Sequence, residues 1–197
     1  MEVCIRRARH RHGAARGLTL VELLIALCVM AILLGAGLPA FQQTITRNRS
    51  VATMIDLRRL LEKARTTAIT RKLDVMLCGT MEGDSCTSRW GAGPTYVFID
   101  KDGNRRWSAG DERIAITPPW EGQTLWWRGS GGRSYLRFSS AGGVREYGTF
   151  TYCPLTNHLR HVRQIAVNSV GRNRDVAIVP DKDPVKNAQT LLALCPP

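Results

Sequence analysis

Gly17-Leu18-Thr19-Leu20-Val21-Glu22-Leu23-Leu24 decides how this 197-residue chain is read. The apolar run it opens continues to Phe41, and no residue from 23 to 38 carries a charge. As a helix rising about 1.5 Å per residue, 18–41 would span roughly 36 Å, enough for a bilayer core of about 30 Å. Before it, Arg6, Arg7, Arg9, Arg11 and Arg16 are opposed only by Glu2. Positive charge ahead of an apolar stretch orients it with the N-terminus in the cytoplasm. A secretory signal cut near residues 38–40 and a plain membrane anchor both fit this pattern. Neither accounts for Glu22, because a carboxylate in an apolar helix costs about 2.5–3.5 kcal/mol towards the bilayer centre and marks function by default.

Outward from this stretch, the helical pattern runs on to about residue 72. Met54, Leu57, Leu61, Ala64 and Ala68 recur at spacings of three and four, an amphipathic stripe. Arg47, Arg49, Arg58, Arg59, Lys63, Arg65 and Arg71 fall mostly on other faces and read as a solvated basic surface. The period then changes. Short β-type runs at 75–78, 96–99, 113–117, 124–128, 135–138, 148–153, 162–167 and 176–179 are separated by Gly, Pro, Asn and Asp clusters, which predicts antiparallel strands and hairpins. The fold class expected is α+β, a long N-terminal helix packed on an antiparallel β-sheet head. Hydrophobic residues at 44% and charged residues at 22% supply a core and exclude disorder. Lys and Arg number 28 against 16 Asp and Glu, a net charge of +12 that favours anionic partners.

Gly17 followed by Leu18-Thr19-Leu20-Val21-Glu22 resembles the class III signal of type IV pilins and pseudopilins, with Leu18 where Phe or Met is more usual. The resemblance implies that a prepilin peptidase cuts between Gly17 and Leu18 and that Leu18 is then N-methylated. It also implies that Glu22 pairs with the amine of a neighbouring subunit during assembly, and that Pro39 kinks the helix. On this reading 1–17 is a cleaved leader, 18–41 the transmembrane and filament-core helix, 42–72 its amphipathic continuation, and 73–197 a β-rich periplasmic or extracellular head. Partners would be the prepilin peptidase, the inner membrane and other pilins of the filament. The order of later features is similar to the GspH/FimT group: Cys78 in a first strand, Cys86 before a Trp, a strand followed by Asp102-Gly103-Asn104, and a late Gly171-Arg172-Asn173-Arg174.

Six cysteines occur. Cys4 would leave with the leader, and Cys28 lies in the apolar helix. The remaining four allow three pairings. Proximity in sequence favours Cys78–Cys86, and Cys153–Cys195 would then tie the C-terminal end to the late strands; an oxidising periplasm would preserve both. No C-x-x-C supports zinc, and His158 and His161 lack a nearby carboxylate. Asp100, Asp102, Asn104 and Asp111 imitate a calcium loop, but glycine stands at 103 where such a loop needs it at 105, so a hairpin turn on Asp102-Gly103 is the better reading. No phosphate-binding, nucleophile-elbow or zinc-protease motif is found, and no cofactor or metal is implied. Assembly, and not catalysis, is the activity expected.

Between Glu146 and Asp175 there is no acidic residue, while Arg160, Arg163, Arg172 and Arg174 all fall in that window. Arg172 and Arg174 would share a face in a strand, or Gly171 would let a loop approach a partner. The segment resembles the G-R-x-R motif of FimT-like minor pilins, which implies contacts to double-stranded DNA during natural transformation. The alternative is a purely structural priming or tip subunit of a type II secretion pseudopilus.

Overall fold

The computed structural model describes residues 19–81, 85–120, 123–154 and 159–195, with the side chains of 36–40 and of 123 outside the description. The chain divides into two compact units, Met1–Gln43 and Thr44–Pro197. Helix α1 (Leu20–Arg71) contributes to both. Its start is set by Thr19, whose hydroxyl accepts from the Glu22 amide at 3.2 Å while its carbonyl accepts from Leu23. That is the N-cap half of a Thr-x-x-Glu capping pattern, and it puts the Glu22 carboxylate in the first turn, where the helix dipole favours negative charge.

In the first unit, every described side chain from 20 to 35 is exposed, among them Leu20, Val21, Leu24, Ile25, Leu27, Met30, Ile32, Leu33 and Leu34. Among the described residues, no helix is long and apolar enough to cross a membrane, so the span expected at 18–41 is not shown here.

Among the described residues, the second unit holds nine strands in two antiparallel sheets: β1 (Val75–Gly79), β2 (Arg89–Trp90), β3 (Thr95–Ile99), β4 (Glu112–Thr117), β5 (Gln123–Gly129), β6 (Tyr135–Phe138), β7 (Gly148–Pro154), β8 (Arg163–Val167) and β9 (Asn173–Val176). One sheet has the order β4-β3-β1-β6 and the other β2-β5-β7-β8-β9. A short C-terminal helix, α2 (Pro184–Leu194), follows. The stripe Met54, Leu57, Leu61, Ala64 and Ala68 is buried in one core with Val75, Leu77, Val97 and Leu136 of the first sheet and Trp90, Trp127, Phe150, Tyr152 and Ile165 of the second. The opposite face of the four-stranded sheet is covered too: Met76, Cys78, Phe98 and Tyr135 pack with Cys86, Tyr96 and Trp107. Double coverage explains why β1 is buried at every position. The five-stranded sheet has no such second cluster among the described residues.

Three arginines read as solvated face instead tie α1 to the sheets. Arg58 pairs with Asp175 at 2.6 Å, Arg71 with Glu112, and Arg65 donates to the carbonyls of Gly142 (3.0 Å) and Val170 (3.3 Å). The last strand also departs from expectation. The apolar run at 176–179 suggested it, but pairing with β8 takes Asn173–Val176. A tight turn causes this: the Asn168 amide donates to the Arg172 carbonyl at 3.0 Å and the Gly171 amide to the Asn168 carbonyl at 2.9 Å. The ladder therefore resumes immediately after Arg172, and the apolar run lies largely beyond it.

Candidate functional site

Gly17 and Leu18 lie outside the described residues, as does His158. Glu22 is exposed in the first turn of α1, and Pro39 falls within that helix. Disulfides join Cys78 to Cys86 and Cys153 to Cys195, with Cα separations of 5.2 and 5.7 Å. The first pins β1 to the segment that leads into β2; the second pins β7 to the end of α2. Cys28 is a free, exposed thiol.

Asp100, Asp102 and Asp111 bring carboxylate oxygens within 4.8 Å of one another. Their oxygens already accept from the loop itself. Asp100 takes the amides of Gly103 (2.8 Å) and Arg105 (2.9 Å), Asp102 the amide and side chain of Asn104 (3.0 and 2.7 Å), and Asp111 the amides of Lys101 (3.0 Å) and Ser108 (2.8 Å). Burial pushes the Asp100 carboxyl above its ordinary value, while the Asn104 amide holds Asp102 below it. The arrangement is a self-bonded turn in which Gly103, at φ +74°, supplies the left-handed corner.

The four arginines of the acid-free window are not brought together. Arg160 sits on the short turn Leu159–His161 and lines a hollow with Pro184, Asn187 and Leu191 of α2. Arg163 opens β8 at the same parity as the buried Ile165 and Val167, so it lies on the sheet's inner face, beside Arg58 and Asp175. Arg174 is opposite Ala166 in the register, on the outer face. Arg172 continues that ladder opposite Asn168, and both arginines are exposed on the same side. Only this pair of the proposed set shares a surface. Gly171 does not open the backbone to a partner. It is buried at φ +77°, and a Cβ there would lie 2.1 Å from the Gly142 carbonyl oxygen.

The register adds residues that the sequence reading missed. Arg128, Thr149, Ala166 and Arg174 are successive cross-strand partners through β5, β7, β8 and β9, one row across the outer face. Tyr147 precedes β7 with the parity of Thr149; its carbonyl accepts from Ser130 at 2.7 Å, and the residue is 54% exposed. Arg128 also donates through Nη2 to the Ala193 carbonyl at the end of α2. No signal local to the sequence links Arg128 to Arg174, because the two meet only through the register of four strands.

The sequence model of the family described as type II transport protein GspH matches residues 53–171, from inside α1 to the turn after β8. The chain belongs to the GspH family. It is thus a minor pilin or pseudopilin of the GspH/FimT type, and family and fold are those of structural filament subunits. A pilin-like protein, PilA1 of Thermus thermophilus, is 36% identical over 104 residues, which are 49% of this chain and 56% of that relative's length. The type IV minor pilin FimU of Pseudomonas aeruginosa aligns with a TM-score of 0.53 over 66% of this chain and 90% of its own, at 16% identity, a likeness of fold. The minor pseudopilin EpsH from the type II secretion system of Vibrio cholerae aligns over 69% of this chain and 99% of its own, with a TM-score of 0.47 and 14% identity.

Proposed function

We propose that this GspH-family subunit is made as an inner-membrane precursor, cut by a prepilin peptidase after Gly17, N-methylated at Leu18, and built into a filament through residues 18–41. The observation that carries this is the uncovered apolar surface of α1 from Leu20 to Leu34. So large an apolar surface on one helix needs lipid or neighbouring helices to cover it. Glu22, in the first helical turn, then meets the amine of an adjacent subunit, and Pro39 falls within the packed helix. Mass spectrometry of membrane-extracted protein tests the reading. The expected product has 180 residues and begins with N-methylated Leu18, whereas an N-terminus near Ala40 overturns it. Glu22→Gln is expected to be processed normally but excluded from filaments.

A second reading is favoured by Arg172 and Arg174, exposed together on the outer sheet face. Arginine suits phosphate because its planar fork donates two hydrogen bonds at once. The pair would contact the backbone of DNA without reading sequence, in the transformation role the family resemblance implies. The competing reading is a purely structural pseudopilus subunit. Titrating duplex DNA at several salt concentrations separates the two. Arg172→Ala with Arg174→Ala should flatten the log–log salt slope by about 1.8, for two lost phosphate contacts. Equal binding by parent and double variant, or no binding at low salt, leaves the structural reading alone.

A further inference from the structure

The outer face of the five-stranded sheet carries an aromatic ring between its cations. Alternate residues of antiparallel neighbours share a face, so Tyr147, Asn168 and Arg172 form one row and Arg128, Thr149, Ala166 and Arg174 the next. With strands about 4.8 Å apart and same-face residues about 7 Å apart along a strand, Tyr147 lies about 8 Å from Arg128 and about 10–12 Å from Arg172 and Arg174 on the sheet surface. A shallow basin lined by Arg128, Ser130, Tyr147, Thr149, Ala166 and Arg174 has no carboxylate among its described lining residues. Ala166 keeps its floor low between the cations. Arg128 is fixed at one wall by its bond to the Ala193 carbonyl, and the rest of its guanidinium keeps further N–H donors.

We propose that this basin binds single-stranded DNA, with one base stacked on Tyr147 and the flanking phosphates held by Arg128 on one side and by Arg172 and Arg174 on the other. The proposal rests on the DNA reading above and goes further, naming the form of DNA and the residue that selects it. Cations alone attract any polyanion. A half-exposed aromatic ring set between them adds a contact that only an unstacked base can make, because in a duplex the base faces are already covered. Stacking accepts every base, so the basin has no sequence preference.

The test uses the full-length protein in detergent micelles, with a labelled oligo-dT strand, a labelled duplex and heparin as a polyanion without bases. The parent should bind the single strand more tightly than the duplex. Tyr147→Leu should weaken single-strand binding about tenfold, the range one stacked base carries, and Tyr147→Phe should keep it. Both variants should bind duplex and heparin like the parent. Arg174→Ala should weaken all three, as a phosphate contact must. If single-strand affinity is unchanged in Tyr147→Leu, or if that change weakens heparin equally, the stacking site is refuted while the DNA reading stands. If the parent binds neither form of DNA at low salt, both fall together.

Discussion

Gly171 shows how a motif can be visible in the sequence while its purpose is not. Gly-Arg-Asn-Arg is plain to read. That its glycine is held against the Gly142 carbonyl at positive φ depends on a loop about thirty residues earlier. Gly171→Ala should therefore destabilise the second unit by about 2 kcal/mol, from backbone strain and the clash together, seen as a lowered Tm with Arg172 still exposed. The carboxylates at 100 and 102 give a second expectation. Asp102, held below its ordinary value by the Asn104 amide, contributes stability that is present above the unfolded value and lost as pH falls through the folded one. Asp100, raised by burial, works the other way, its ionisation opposing the fold as pH rises through and above the ordinary range. Carboxyl carbon NMR across acid pH should resolve one midpoint on each side of the ordinary value of 3.8, and coincident midpoints would contradict the geometry. Local spacing predicted a tight hairpin turn on Asp102-Gly103; the strands are instead joined by the longer loop 100–111, in which Gly103 supplies one left-handed corner.

Seven of the strands and the end of α1 follow from alternation, periodicity and turn residues, because those signals are local. Besides the displaced β9, two elements did not. β2 has only two residues, Arg89 and Trp90, too few for a pattern, and exists because Trp90 is buried in the shared core. The local signal for helix α2 is Asp183 before Pro184, with the Asp183 side chain accepting from the Val185 amide at 2.8 Å. No residue of α2 is buried, so its attachment depends on the Cys153–Cys195 bond, the Arg128 contact and the neighbouring turn Leu159–His161. That bond spans a sequence separation of 42 and should contribute about 4 kcal/mol on the chain-entropy model. Cys153→Ser with Cys195→Ser should lower the melting temperature and speed amide exchange throughout 184–194, while β5 and β7 keep their protection. Slow exchange persisting in α2 would show that surface packing alone holds it. The exposed Arg58–Asp175 pair should matter far less, within about 1 kcal/mol, since both side chains remain partly hydrated.

The α+β class and the family were legible from residues 17–22 and the change of period near 72; the order of strands was not. Which strand neighbours which is decided by pairings distant in the chain, such as β1 with β6 and β2 with β5, and no window of sequence contains both partners. The same limit hid the outer-face row, because Arg128 and Arg174 meet only through three register steps. It also explains why Arg160 and Arg163, close to Arg172 in sequence, end on other surfaces. A filament subunit is a mechanical part, and the second disulfide has a consequence in those terms. If the second unit is pulled between residue 44 and its C-terminus, tension passes from Cys153 directly to Cys195, and the chain between them carries none of it. Under oxidising conditions that stretch is withheld from extension; reduction would release roughly 150 Å of additional contour. The extensibility of this unit is thus set by whether two sulfur atoms are joined, while Arg172 and Arg174, inside the shielded loop, stay unstretched under load.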